Sequence, residues 1–246
     1  MTTVSKILLY SGIHKGQRRW LADISISAGR TDFSQPEEVD HLIQEMKAFT
    51  EHLREHADLE ERFIHPTLGG IVASCPRGIE AEHRTQHQDL EDLVQSLEMI
   101  KRMPQDHETL PQIGHEFYLA LNRFVSIYLK HIDFEEDHVQ QILLNDCTAE
   151  ELMRIFQNIL AAQSPPSLMA NLRLMVSGLN LPETVGLFTM ARSLMPAPAF
   201  QQMVAQVSSS LEPEKWALIQ DRLGQGERSE NGREGKRNGG TGRPVP

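Results

Sequence analysis

Strand signals are scarce in this chain of 246 residues. Apolar and polar residues rarely alternate, and the turn residues lie too far apart for hairpins. Long apolar runs are missing as well. None approaches the roughly 18–20 residues that span a bilayer, and a hydrophobic content of 39% suits a folded core rather than a membrane. Basic residues are in deficit, with 24 Lys and Arg against 34 Asp and Glu and a formal net charge of −10. That excludes a basic face for nucleic acid. Cysteine occurs twice, at Cys75 and Cys147, in no CxxC or zinc-like spacing, so a disulfide framework is excluded and a reducing, cytoplasmic setting is expected. The opening stretch, MTTVSKILLYSGIHKG, holds a short apolar patch without a cleavage site, and no signal peptide is expected.

What the chain does have is histidine, 11 residues against an aromatic content of only 6%, set on strong helical periodicity. The pattern predicts a first helix from about Val4 to Ala28, ending near Gly29. A second opens at Ser34-Gln35-Pro36-Glu37, a cap followed by a helix-starting proline, and closes around Pro66 to Gly70. A third runs from about Pro76 to Met103, stopped by Pro104. The fourth extends from near Glu108 to Leu144. After Asn145-Asp146-Cys147 the texture changes. A capping box at Thr148–Glu151 opens a Leu- and Met-rich region of short helices separated by SPPS (164–167), LNLP (179–182) and MPAPAF (195–200). From Gly224 onward almost no large apolar residue remains, which predicts a disordered tail. The expected architecture is all-α: an up-down four-helix bundle over 1–147, a helical C-terminal region over 148–223 and a disordered tail over 224–246. The Leu/Met-rich region carries no readable chemistry, and a helical appendage, a homo-oligomer contact or a site for a protein partner are its expected uses.

Stepping by three and four residues along each long helix traces the faces that meet in a bundle. The first helix gives Ile7, Tyr10, His14, Gln17, Leu21, Ile24 and Ala28. The second gives Leu42, Met46, Phe49, Leu53, His56, Glu60 and Phe63. The third gives His83, His87, Leu90, Val94 and Leu97, and the fourth Phe117, Leu121, Phe124, Tyr128, His131, Glu135, His138 and Ile142. All four apolar seams are broken by histidine, two of them by a carboxylate as well. A buried carboxylate without a partner costs several kcal/mol. Several intrusions at one level need a shared partner, and a multivalent cation meets that need. Residues at i and i+4 share a helix face and reach one ion or two adjacent ones. Five imidazoles and two carboxylates suit two ions with the carboxylates bridging, and mixed nitrogen and oxygen donors favour iron, or manganese, over a thiolate-type zinc site.

A lone histidine, then HxxxE within 56-HADLEERFIHP-66, then 82-EHRTQH-87 and 131-HIDFEE-136 together resemble the hemerythrin-like (HHE) family, over roughly residues 5 to 145. The resemblance implies a four-helix bundle holding a non-haem di-iron centre. It implies that His14 and His56 ligate one iron, that His83, His87 and His131 ligate the other, and that Glu60 and Glu135 bridge them. The last pair departs from the HxxxxD of the oxygen-carrier branch and follows the bacterial and iron-sensing branches, with Glu136 as the adjacent alternative. His138 is read as a core or flanking residue one turn past Glu135, and His52 as a neighbour of the site. His41, His65, His107 and His115 are read as surface residues. Tyr10 and Tyr128 each precede a proposed ligand by one turn, where a phenol either packs in the core or hydrogen-bonds the centre's oxygen ligand. Two functions follow from the resemblance. One is binding or sensing of O2, NO or iron. The other is a di-iron redox enzyme that handles peroxide or NO or oxidises a substrate with O2, with Tyr10, Tyr128 and His138 as proton or electron sources. A third reading is regulatory: metal occupancy orders the bundle and a partner reads it.

Overall fold

The computed structural model describes residues 6–224, so the expected tail, beyond Gly224, lies outside the described residues. Every described element is helical. The helices are α1 (Ser11–Arg30), α2 (Pro36–Phe63), α3 (His65–Ile71), α4 (Cys75–Lys101), α5 (Leu110–Phe134), a π-helical turn (Glu135–Val139), α6 (Gln140–Asp146), α7 (Ala149–Ala162), α8 (Pro165–Gly178), α9 (Leu181–Leu194) and α10 (Ala197–Ser208), followed by a helix over 213–224.

The first helix begins at Ser11 rather than near Val4, since residues 6–10 are not helical, and two further boundaries depart from the periodicity, each for a local reason. The second predicted helix breaks at Ile64, and a short new helix begins at His65. Pro66 lacks an N–H and its ring crowds the carbonyl one turn back, so α2 cannot continue through it. The fourth predicted helix contains a π turn, in which the Gln140 N–H donates to the Glu135 carbonyl five residues back. A π turn takes in one extra residue and rotates everything after it.

α1 packs on α2 and α5, α2 packs on α4, and α4 packs on α5, so the four long helices close into a ring. Their buried residues form two apolar clusters. The larger fills the middle and far end of the bundle, from Leu21, Ile24, Leu42, Met46, Phe49 and Leu53 to Leu90, Leu97, Leu121 and Phe124. The turn before α2 closes that far end. Phe33 lies against Gly114 of α5, where a Cβ would stand 2.2 Å from its ring. The smaller cluster caps the other end and joins Tyr10, Ile64, Leu68 and Ile79 to Val139, Leu143, Cys147, Leu152 and Ile155. α3, α6 and α7 therefore act as a lid.

The described residues fall into two compact units, divided between Leu168 and Met169. α7, which opens on the predicted Thr148–Glu151 capping box, belongs to the unit that carries the bundle and packs on α2. In the second unit α9 opens on another capping box, Asn180 with Glu183. Its core holds Val176, Phe188, Met203, Val207 and Ile219, and Lys215 donates to the Val176 and Leu179 carbonyls at the end of α8.

Candidate metal centre

Between the two apolar clusters lies one polar layer. His14 comes from the first turn of α1, His56 and Glu60 from the last turns of α2, His83 from the third turn of α4, His131 from the last turn of α5, and Glu135 from the start of the π turn. All but one are buried: His14 and Glu135 are 0% exposed, Glu60 2%, His83 and His131 4%. The His56 side chain is 13% exposed.

The layer resolves into two groups whose donor atoms lie within 4.8 Å of one another: His14, His56 and Glu60, and His83, His131 and Glu135. In the first, the two Nε2 atoms are 3.2 Å apart and Glu60 Oε1 is 3.0 Å from His56 Nε2. In the second, the Nε2 atoms are 3.1 Å apart and Glu135 Oε1 is 3.4 Å from His131 Nε2. Two donors each about 2.1 Å from one ion stand roughly 3.0–3.4 Å apart when their angle is between square and tetrahedral, so the spacings fit a shared ion. Each carboxylate also reaches the other group. Glu60 Oε2 is 3.4 Å from His83 Nε2, and Glu135 Oε2 is 3.5 Å from His14 Nε2.

No hydrogen bond reaches any of the four oxygens of Glu60 and Glu135, all of which are buried. A hydrogen-bonded structural pair would have satisfied them. Cations would satisfy all four, and the donor set of imidazole and carboxylate suits iron or a similar first-row ion.

The electrostatics of the residues alone point the same way. Burial by itself would lower the pKa of His14, but the neighbouring carboxylates of Glu136, Glu60 and Glu135 overcome it and push the value up to about 9. His83 is likewise pushed up to about 9 by Glu135, Glu60 and Glu61 against the effect of burial. Burial pushes the Glu60 carboxyl upward, yet the imidazoles of His56, His14 and His83 beside it hold it well below the usual range. Protonated imidazoles thus supply the positive charge that the carboxylates require. Tyr10 and Tyr128 are driven far above the usual phenol value, first by burial and then by the charges of Glu60 and Glu135.

Three more carboxylates stand behind the imidazoles. Glu136 lies 3.1 Å from His14 Nδ1, Glu61 lies 3.1 Å from His83 Nδ1, and Glu82 lies 2.8 Å from His131 Nδ1. An acceptor there holds the proton on Nδ1, so that a cation displacing the Nε2 proton meets the lone pair facing inward. Glu136, the alternative ligand by sequence, is one of them. Glu61 and Glu82 were not singled out in sequence, although each directly neighbours a layer residue, in Glu60-Glu61 and Glu82-His83.

Other candidates separate in space. His87 stands outside both groups and is half-buried. Its pKa is lowered by burial, with the Leu53 carbonyl pulling the other way. The α4 face that turns inward runs Ile79, His83, Gln86, Leu90, Leu93, Leu97, one step out of phase with His87 and Val94. His138 is 65% exposed on its side chain and stacks on Phe134, because the π turn hands the inward positions to Val139 and Leu143. His52 stacks on His56. His65, expected at the surface, is 3% exposed. The break at Ile64 turns it under the lid, where its Nδ1 is 3.3 Å from Glu80 and its ring stacks on His83. The Tyr128 hydroxyl donates to Gln17 Oε1 at 3.0 Å, whereas the buried Tyr10 hydroxyl has no hydrogen-bond partner.

Residues 9–143 match the family model for the hemerythrin HHE cation-binding domain. The chain belongs to that family. The matched span begins just before Tyr10 and ends at Leu143, so it takes in the whole polar layer, both groups and the three carboxylates behind them. No curated protein and no solved structure gives a significant match. The hemerythrin HHE domain here is built of helices, with no strand among its described residues, and carries two His/Glu groups that could hold metal cations.

Proposed function

We propose that this hemerythrin-like protein holds two non-haem iron ions, bridged by Glu60 and Glu135, and uses them to bind or sense O2, NO or iron. The observation that carries the reading is the pair of buried carboxylates, each spanning both histidine groups and each without a hydrogen bond on either oxygen. His14 and His56 serve one ion, and His83 and His131 the other. The convergence of the early turns of α1 and α4 with the last turns of α2 and α5 supports an up-down order of the four helices. Iron ions held by His14, His56, His83, His131, Glu60 and Glu135 would supply electrons to bound O2.

The chain's own residues do the rest. Glu61, Glu82 and Glu136 hold the Nδ1 protons and orient the rings. Phe49, Leu53, Leu121 and Phe124 form an apolar floor below the layer, and Ile64, Leu68 and Val139 a roof above it, which keep water from the buried charges. Such a dry enclosure supports holding a ligand over turning it over. The cytoplasmic setting expected from the two cysteines stays part of this proposal.

One observation favours the redox-enzyme reading: the unpartnered, buried hydroxyl of Tyr10 beside His14, a phenol free to donate a proton or hydrogen bond. The deciding measurement is iron content with optical spectra of protein reduced without oxygen and then exposed to air. Two irons per chain, with charge-transfer bands that disappear under argon, support binding. Bands that decay irreversibly in wild type and persist in Tyr10→Phe support turnover. Fewer than two metal ions after reconstitution would remove the bridged pair.

A further inference from the structure

We infer that the two ion positions are unequal: the one built from His83, His131 and Glu135 retains its cation, and the one built from His14, His56 and Glu60 exchanges its cation with solution. This rests on the two-ion reading above and adds to it which ion moves.

The asymmetry lies in what stands behind each imidazole. In the retaining position both rings are backed, His83 by Glu61 and His131 by Glu82. Both side chains are nearly closed to water, at 4% and 3% exposure. Behind His83 lies a further layer, since the His65 ring stacks on it at 5.9 Å and 13° and is itself held by Glu80. Glu82 is 60% exposed, so water competes with its contact. Glu61, at 38%, carries more of the anchoring.

In the exchanging position only His14 is backed, by Glu136, and that carboxylate oxygen is shared with the Arg18 guanidinium. His56 has no such carboxylate behind it among the described residues. Its ring is supported by a parallel stack on His52 at 6.2 Å, and at 13% exposure it is the open corner of the layer. An imidazole without an acceptor on Nδ1 is free to change tautomer and to turn, and one that meets water is replaced by water most readily. Outer-shell partners of this kind change metal affinity about 10–100-fold. A divalent first-row cation therefore enters and leaves past His56, while the second ion stays behind Glu61 and Glu82.

The test loads the full chain with ferrous iron without oxygen, adds excess colorimetric ferrous chelator and follows release. The expected result is two phases of one iron per chain each, separated by about tenfold or more in rate. Glu61→Gln should speed the slow phase about 10–100-fold and leave the fast one, and Glu136→Gln should speed only the fast phase. Two irons per chain released in a single phase would overturn the inequality and leave the two-ion centre standing, as would a fast phase that alone responds to Glu61→Gln. Fewer than two irons per chain would instead strike the two-ion reading itself. Should Glu61→Gln not fold, the wild-type amplitudes and rates decide alone.

Discussion

The same four helices build two unlike regions, an apolar far half and a polar layer under the lid. In the far half the inward residues are Leu, Ile, Met and Phe, packed with almost no exposure. One or two turns along the same helices the inward residues are four histidines and two glutamates, all but His56 just as enclosed. The far half needs nothing outside the chain, because apolar burial is favourable by itself. The layer places charged groups in a poorly solvating interior, where they are tolerated only with partners. Proteins hold such arrangements where a site requires them, and the apolar half supplies the stability that lets this bundle do so.

The largest effect should come from breaking the apolar half. Phe49→Ala removes a ring that is 0% exposed and meets Trp20 and Tyr128 edge-on. It should lower unfolding stability by about 3–5 kcal/mol, read by chemical denaturation of both apo and metal-loaded protein. A loss below about 1 kcal/mol would mean that the far half is not what carries the layer.

The next effect belongs to the layer and appears in the apo protein. His14 and His83 have folded-state values raised from 6.5 to about 9. Their contribution to stability is therefore fully present below about pH 6.5 and lost as pH rises through 9, at up to about 1.4 kcal/mol per pH unit for each group. The apo protein should weaken from pH 6.5 to 9. The loaded protein should not follow it, since ion binding displaces those protons and tightens as pH rises. Parallel thermal melts of the two forms across this window separate them, and identical pH profiles would deny that the layer is a cation site.

The smallest effects sharpen the border of the layer. His138→Ala and His87→Gln should leave two ions per chain and change stability by no more than about 0.5 kcal/mol for the exposed His138. Metal analysis of the purified variants decides it, and loss of an ion from His87→Gln would bring that residue back among the ligands.

The helical class, the four long segments, the Thr148–Glu151 capping box and the inward aim of His14, His56, Glu60, His83, His131 and Glu135 were legible in the sequence. Helix periodicity alone places those residues on the faces that carry the neighbouring leucines and phenylalanines. Only the tertiary structure decided the rest. Steps of three and four are interchangeable in a sequence, so whether Gln86 or His87 faces inward depends on how α4 is rotated against α2 and α5. The π turn after Phe134 leaves no signature in residue type, yet it sends His138 to the surface and lets Glu135 and Glu136 serve opposite sides of His14. Pro66 announces a break, but not that the break would carry His65 under a lid. The carboxylates behind the imidazoles come from other helices, as Glu61 does for His83, Glu82 for His131 and Glu136 for His14. A sequence records which residues share a helix face; which residues meet across the space between helices is set by packing.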